Sequence, residues 1–307
     1  MAKQDEGGKE RVRAGRRTVE VSRPSKTLFP DGATKLDLVD YYLGVSGAML
    51  PHIRDRLMTL ERFPDGIGSQ RVFTKSIPGY FPGWIDRTTV PKAGGTVTHV
   101  VCNHKSALAY LAAQACITMH VGLSRTTDLD HPDQMVFDLD PATEDVGVLR
   151  SVARDIGGLL DDVGLRPVLK TSGSKGLHVT VPLDGKAPFG EVRAFARDLA
   201  RLVADRRPDE VTVEQRKEKR RGRLFLDWLR NSFGATVVAP WTVRARPGAP
   251  VAVPITWEEL DARGFHPQRF SMKDALERAS DGDPWMGWRR RARSLGSARS
   301  RLDGLID

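Results

Sequence analysis

Met135-Val136-Phe137-Asp138-Leu139-Asp140-Pro141 sets two carboxylates one residue apart in an otherwise apolar run. Met135 to Leu139 reads as a strand, where side chains at i and i+2 share a face. Asp138 and Asp140 therefore stand together with Val136, while Phe137 and Leu139 point the other way, into a core. Two carboxylates side by side repel, and something cationic must hold them together. Hard oxygen donors suit Mg²⁺ or Mn²⁺. A strand end with a solvated acidic turn at Asp140-Pro141 gives the same pattern, so the pair alone decides nothing.

Two further segments add weight. Pro167 to Val181 reads as strand, tight Gly/Ser loop, strand. Gly173 and Gly176 let backbone amides approach an anion, Ser172 and Ser174 add hydroxyls, and Lys175 adds a point charge. On the outgoing strand His178 faces away from Leu177 and Val179. A hairpin turn with Lys and Ser in water reads alike, and the loop departs from the P-loop pattern by leading into a strand. Arg223-Leu224-Phe225-Leu226-Asp227-Trp228-Leu229 is another short apolar strand with one carboxylate, which alone reads as a capping or salt-bridged aspartate. Together the three strands describe a metal-and-triphosphate site. Three carboxylates can hold two divalent ions for in-line displacement at phosphorus.

A chain of 307 residues can bury a sizeable core, in one large domain or two lobes. Its net charge of +9 suits a polyanionic partner. Part of the excess lies in residues 1–17 and in Arg289-Arg290-Arg291-Ala292-Arg293 ahead of 294–307, and both ends read as disordered tails. Part is internal, at Arg216-Lys217 and Lys219-Arg220-Arg221. Cys102 and Cys116 give neither a disulfide framework nor a zinc pattern, which fits a reducing cytosol. The N-terminus lacks an apolar signal segment, and no apolar stretch is long enough to span a bilayer. A cytoplasmic, nucleoid-associated protein without a membrane partner is expected.

Residues 18–33 read as strand and turn. Thr34 opens a helix with Asp37 three residues on; Leu38, Tyr41, Tyr42, Val45 and Met49 form its apolar face, and Pro51 ends it. A second helix is expected over Ser106–His120. From about Asp128 to Ala239 the order is β-α-β-β-α-β-β, with helices near 146–163, stopping at Gly164, and near 189–205. The expected fold class is α+β, an RRM-like or ferredoxin-like catalytic core of one sheet with helices on one face. A capping box at Thr256 opens a short helix, and Trp285 and Trp288 anchor a last turn. The expected organisation is an N-terminal α/β subdomain at 18–127, a core at 128–250 and a C-terminal helical part at 251–293, flanked by tails at 1–17 and 294–307.

These motifs resemble the polymerase domain of bacterial end-joining ligase D, within the archaeo-eukaryotic primase superfamily. The resemblance is carried by Val136 to Pro141, Thr171 to His178, Phe225 to Trp228, Asn231-Ser232, Ala239-Pro240-Trp241 with Arg244, and Lys26 to Pro30. It runs from about Val19 to about Ser280. It implies a primase-polymerase core in which Asp138, Asp140 and Asp227 bind two Mn²⁺ or Mg²⁺ ions. It implies that Ser172, Ser174, Lys175 and Arg244 neutralise a triphosphate, with His120 and His178 lining the nucleotide site. It assigns Lys26 and Lys35 to the downstream 5′-phosphate of a gap. Arg62, Phe73 and Lys75 fall in a loop that grips template, though Val72 stands where the family pattern has a second phenylalanine. Lys217 and Arg220 fall in a loop used for template and end synapsis; six basic residues between Arg216 and Arg223 over-charge a hairpin tip that meets no anion. Each of these residues has a plainer alternative as a solvated or core side chain.

The expected activity is template-dependent nucleotide addition, NTP or dNTP, that fills short gaps and extends ends in non-homologous end joining. The resemblance implies a preference for ribonucleotides. The expected partners are gapped or broken duplex DNA, a ligase in trans for a stand-alone enzyme, and an end-binding protein. A metal-dependent nuclease also uses clustered carboxylates but does not need the Ser172–Lys175 loop with Arg244. A non-catalytic RRM-like module would leave three aspartates on a face meant for phosphates.

Overall fold

The structure, a computed structural model, describes residues 8–306 and divides the chain into two units that interleave along the sequence. The first holds residues up to Val121 together with Val238–Ala252 and Phe270–Gly282. The second holds Gly122–Val237, Val253–Arg269 and the chain from Asp283 onward. The contiguous division expected from sequence differs on two points. Residues 238–252 leave the catalytic core for the first unit, and the residues after 253 are shared between both.

The first unit opens with an antiparallel hairpin of β1 (Lys9–Ala14) and β2 (Arg17–Ser22). The tail expected over 1–17 is therefore strand from Lys9, and residues 1–7 of that tail lie outside the described residues. Helix α1 (Lys35–Gly44) starts at Thr34 with a reciprocal capping box to Asp37. It ends at Gly44, and α2 (Ser46–Ile53) starts afresh with Pro51 inside it. There follow β3 (Met58–Arg62), β4 (Val72–Thr74), β5 (Arg87–Lys92), β6 (Gly95–Val100), α3 (Lys105–Ala113) and β7 (Cys116–Gly122). The strands form a sheet in the order β7-β3-β6-β5, with β4 beside β3.

The helix expected over 106–120 is thus half helix and half strand. Ala115 takes φ +56°, outside helical space, and the β-branched Ile117, Thr118 and Val121 favour the extended backbone that follows. Buried hydrogen bonds fix residues 238–252 to β7. Ala239 N–H donates to Met119 O at 3.0 Å, and Thr118 Oγ1 donates to Val243 O at 2.9 Å. Tyr42 Oη donates to Ile117 O at 2.6 Å and accepts from Val243 N–H at 3.1 Å.

The second unit contains β8 (Ser124–Arg125), β9 (Asp128–Pro132), β10 (Gln134–Asp140), α4 (Val146–Asp162), β11 (Val168–Thr171), β12 (Leu177–Pro182), α5 (Phe189–Arg206), β13 (Val211–Thr212) and β14 (Leu224–Asp227). Its sheet runs β13-β14-β10-β12-β11, closed at the β11 edge by Pro254–Ile255. β14-β10-β12-β11 are antiparallel throughout, the ferredoxin-like arrangement of a β-α-β-β-α-β chain. Helix α4 buries Leu149, Val152, Ile156 and Leu160, and α5 buries Val192, Phe195, Leu199 and Val203. Gly164, at φ +84°, takes the left-handed position after α4.

The C-terminal tail is also ordered. Leu295–Ile306 is a helix that packs on α5 through Leu295, Ala298 and Leu302. Arg299 of that helix pairs with Asp198 of α5 at 2.9 Å, and Arg289 pairs with Asp133 at 2.6 Å. Trp285 and Trp288 are buried, and the Trp285 indole donates to Leu169 O at 2.8 Å. Of the run Arg289–Arg293, Arg289 is half-buried in its pair with Asp133, while Arg290, Arg291 and Arg293 stay exposed.

Strand β14 stops at Asp227, and the buried Asn231 side chain takes over beside β10. Its Oδ1 accepts from Val136 N–H at 2.8 Å and its amide donates to Val136 O at 2.7 Å. Asn231→Ala strands both backbone groups. It is expected to cost about 1–3 kcal/mol in urea unfolding; an unchanged midpoint would remove Asn231 from this role.

Candidate active site

The register of the second unit's sheet places Asp138 on β10 directly between Asp227 on β14 and His178 on β12. His178 is in turn opposite Lys170 on β11. Residues paired across strands project on the same face. Asp227, Asp138, His178 and Lys170 therefore form a row across the sheet, and Asp140 stands two residues along from Asp138 on that face.

His178 Nε2 lies 3.4 Å from Asp138 Oδ1. Arg230 Nε lies 3.1 Å from Asp227 Oδ2 and 3.9 Å from Asp138 Oδ2. Asp140 Oδ2 accepts from Arg220 Nη1 at 3.1 Å, and the Arg220 guanidinium lies 3.8 Å from the Phe225 ring centroid. Burial, then the facing Asp227, pushes the Asp138 carboxyl up to about 6; Arg230 and Lys170 oppose the rise, and Asp140 adds to it.

The loop after β11 is shaped by Ser172. Its hydroxyl oxygen accepts from the amides of Ser174 and Gly176, each at 3.2 Å. Gly173 takes φ +61°. A Cβ at Gly176 would sit 1.9 Å from Leu139 O, so only glycine lets the loop close against the strand that carries the aspartates. Ser174 is half-buried in this loop, and Lys175 Nζ rests 3.4 Å from Glu144 Oε1.

The first unit assembles a second group. His120 lies on β7, with Nε2 3.5 Å from Glu61 Oε1 and its ring 5.9 Å from Phe73 in edge contact. Arg71 meets the same Glu61 oxygen at 3.4 Å. Burial pushes the Glu61 carboxyl up, but His120, Arg244 and Arg71 outweigh it and hold Glu61 below the usual carboxylate range. Sequence reading named His120, Phe73 and Arg244 but missed Glu61, the carboxylate that His120 and Arg71 meet.

The remaining expected residues separate. Lys26 pairs with Asp65, and Lys35 Nζ donates to Ser22 O at 2.7 Å. Burial and the neighbouring Arg23 and Lys26 bring Lys35 down to about 8, while Asp65 works against them. The two lysines thus share one basic cluster, with Arg23 as its unforeseen third member. Lys75 is exposed next to β4. Arg62 is half-buried, with Nε donating to Gln114 O at 3.1 Å and its guanidinium 5.8 Å from the Tyr80 ring centroid and 5.9 Å from that of Phe81. In the basic segment Lys217 is exposed, but Arg220 is folded back onto Asp140 and does not project outward as expected.

A family model for the LigD primase-polymerase domain matches residues 34–285. The chain belongs to the LigD primase-polymerase family. It is 35% identical over 269 residues to the multifunctional non-homologous end joining protein LigD of Mycolicibacterium smegmatis, across 86% of this chain and 35% of that protein. It is 36% identical over 282 residues to the multifunctional non-homologous end joining DNA repair protein LigD of Mycobacterium tuberculosis, across 88% of this chain and 37% of that one. The chain thus spans about a third of the length of these LigD relatives. The solved polymerase domain of Mycobacterium tuberculosis ligase D in complex with DNA superposes with a TM-score of 0.83 at 35% identity, covering 90% of this chain and 99% of that one. As a LigD primase-polymerase domain the chain is a nucleotidyltransferase of α+β fold. No helix among the described residues is long and apolar enough to cross a membrane.

The donor chemistry of the row fits a divalent cation. Asp138 and Asp227 are crowded oxygen donors whose repulsion raises the Asp138 pKa, and Arg230 now supplies the compensating charge. As the side chains stand, no three His, Cys, Asp or Glu among the described residues converge on one point, because Asp140 is turned to Arg220.

The raised Asp138 pKa has a definite pH consequence. The folded protein holds this proton up to about pH 6, whereas the carboxyl's ordinary value is 3.8. Its contribution to stability is thus full below 3.8 and is lost as pH rises through 6. In chelator-treated protein the melting temperature should fall between pH 5 and pH 7, and Asp138→Asn should flatten that slope. Added Mn²⁺ or Mg²⁺ should restore stability at pH 7 far more than at pH 5. A wild-type slope matched by Asp138→Asn would remove Asp138 as its source.

Proposed function

We propose that this chain adds nucleotides to a primer strand across short gaps at DNA breaks, in a non-homologous end joining role. The observation that carries this reading is the Asp227–Asp138–His178 row with the Ser172–Lys175 loop closed against Leu139 beside it. A nucleotidyl transfer site needs a carboxylate pair and a phosphate-holding loop beside it, and family membership supplies the reaction class.

In this reading Asp138, Asp140 and Asp227 hold two divalent ions, Mn²⁺ or Mg²⁺. When bound, such ions lower the pKa of the primer 3′-hydroxyl and neutralise charge on the leaving pyrophosphate. Arg230 and Arg220 release the aspartates they now pair. His178 Nε2 orients the Asp138 carboxylate. Ser172 and Ser174 bring their hydroxyls to the triphosphate, and Lys175 leaves Glu144 for it. In the first unit His120, paired with Glu61, and Arg244 are assigned nucleotide contacts, and ribonucleotides are the preferred form. Phe73, 49% exposed on β4, offers a face for stacking on a template base, with Lys75 as a backbone contact. Lys217 contacts DNA from its exposed turn, and the nick left after filling is the substrate of a ligase.

Asp138→Ala or Asp140→Ala should abolish primer extension on a gapped duplex yet leave DNA affinity within a few-fold, because a carboxylate near phosphate repels unless a cation intervenes. Extension retained by either variant would sink the site assignment.

The Lys26–Lys35 cluster is assigned to the 5′-phosphate on the downstream side of the gap. A charge-assisted contact vanishes when that phosphate is absent. Lys26→Ala should therefore weaken binding roughly tenfold on a 5′-phosphorylated gap, about 1.4 kcal/mol, and change it little on an unphosphorylated one. Equal weakening on both substrates would reassign these lysines to general backbone contacts.

A further inference from the structure

We propose that the outer face of the β1–β2 hairpin binds the phosphate backbone of duplex DNA downstream of the gap. The proposal rests on the polymerase reading for its substrate but on residues which that reading does not use. The hairpin also lies outside residues 34–285, which the family model matches.

The register sorts its side chains into two faces. Glu10↔Val21, Val12↔Val19 and Ala14↔Arg17 share one face; Lys9↔Ser22, Arg11↔Glu20 and Arg13↔Thr18 share the other. Ala14, Val19 and Val21 are buried, and β2 packs on α3. The Arg17 guanidinium, on this inner side, lies 4.8 Å from the Trp84 ring centroid. The outer face carries Lys9, Arg11 and Arg13, all exposed, with Arg16 at the turn. Its single acid is Glu20, which Lys9 meets at 2.8 Å. Among the described residues no ion pair or hydrogen bond engages the side chains of Arg11, Arg13 or Arg16. Like charges at alternate strand positions repel, so a row of this kind favours a polyanion across from it.

The spacing selects the polyanion. Alternate residues on a strand are about 6.8 Å apart, so long basic side chains on the row can each reach a different phosphate of a duplex that carries one charge per about 1.7 Å of axis. The open end of the hairpin joins the 5′-phosphate cluster. Arg23 N–H donates to Gly8 O at 3.0 Å, and Lys35 Nζ donates to Ser22 O. From that end β1 extends about 17 Å, or roughly five base pairs of duplex. A duplex whose 5′-phosphate sits at the cluster can therefore run its backbone along the row.

The test compares wild type with Arg11→Gln/Arg13→Gln on gapped duplexes that differ only in the downstream arm, about 4 or about 15 base pairs long, between 50 and 200 mM salt. On the long arm the variant should bind more weakly, with a salt slope shallower by about 1.8, so the wild-type advantage shrinks roughly tenfold over that range. On the short arm, which covers Arg11 but ends near Arg13, the difference should be smaller than on the long arm, and nucleotide addition at saturating DNA should be unchanged. Glu20→Gln, which removes the only acid of the face, should tighten binding to the long arm and keeps the test valid if the double variant folds poorly. Unaltered long-arm affinity in both variants, or a loss independent of arm length, would overturn the proposal. Wild-type protein that neither binds nor extends gapped DNA would instead overturn the polymerase reading.

Discussion

The repulsion between Asp138 and Asp227 sets the terms for the second unit. Strand pairing holds their backbones directly opposite, so the carboxylates cannot separate by sliding without breaking the ladder. The surroundings answer in three ways. Asp138 shifts toward its neutral form, Lys170 and His178 lie in the same cross-strand row, and Arg230 reaches over both acids. Features that look incidental follow from keeping this row intact. Asn231 completes the edge of β10 where β14 ends, and Gly176 gives up its side chain so that the loop can approach Leu139.

Much of the second unit was legible because its signals are local. The alternation around Asp138, the glycine after α4 and the apolar spacing of α4 and α5 each fall within a few residues, and their order limits the sheet to few topologies. The misread segments carry two signals at once. Ser106 to His120 is apolar at helical spacing for its whole length, and what stops the helix is one backbone conformation at Ala115, which composition does not announce. In the terminal segments charge masked pattern. Val12 and Ala14 alternate with Arg11 and Arg13, and Leu295, Ala298 and Leu302 recur at helical spacing among arginines and serines. Those apolar positions suffice because each has a surface to cover, on α3 and on α5, and that surface is invisible in the segment itself.

The site divides in the same manner. Residues with a chemical signature were found: the aspartates, the Ser172–Lys175 loop, His178 and the basic clusters. Their partners were not, since a glutamate, a lysine or an arginine carries no mark of what it faces. Lys170 was hidden in an apolar strand, Glu61 lies 59 residues before His120 in sequence, and Arg23 is a turn residue at φ +50°. Arg220 shows the converse error. Charge density suggested an outward tip, but one cation of the group has a carboxylate and an aromatic face within reach and is drawn back to them.

The counter-charges around the aspartates differ in how easily they can move. Lys170 is almost fully enclosed, at 2% exposure, so its charge is fixed in the sheet. The Arg230 side chain is 47% exposed and holds its acids through Nε on a flexible stem, and such half-solvated pairs contribute little net stability. Withdrawing Lys170 would leave a cavity and a buried uncompensated acid, whereas withdrawing Arg230 costs only what water and another cation readily replace. Fixed and exchangeable charge together solve a conflict that a cation-binding carboxylate cluster always faces. The acids must stay close enough to share an ion, yet the fold must survive without it. Here strand pairing sets how close Asp138 and Asp227 remain, the buried lysine supplies a fixed part of the opposing charge to Asp138, and the half-exposed arginine covers the remainder until something that binds more tightly takes its place.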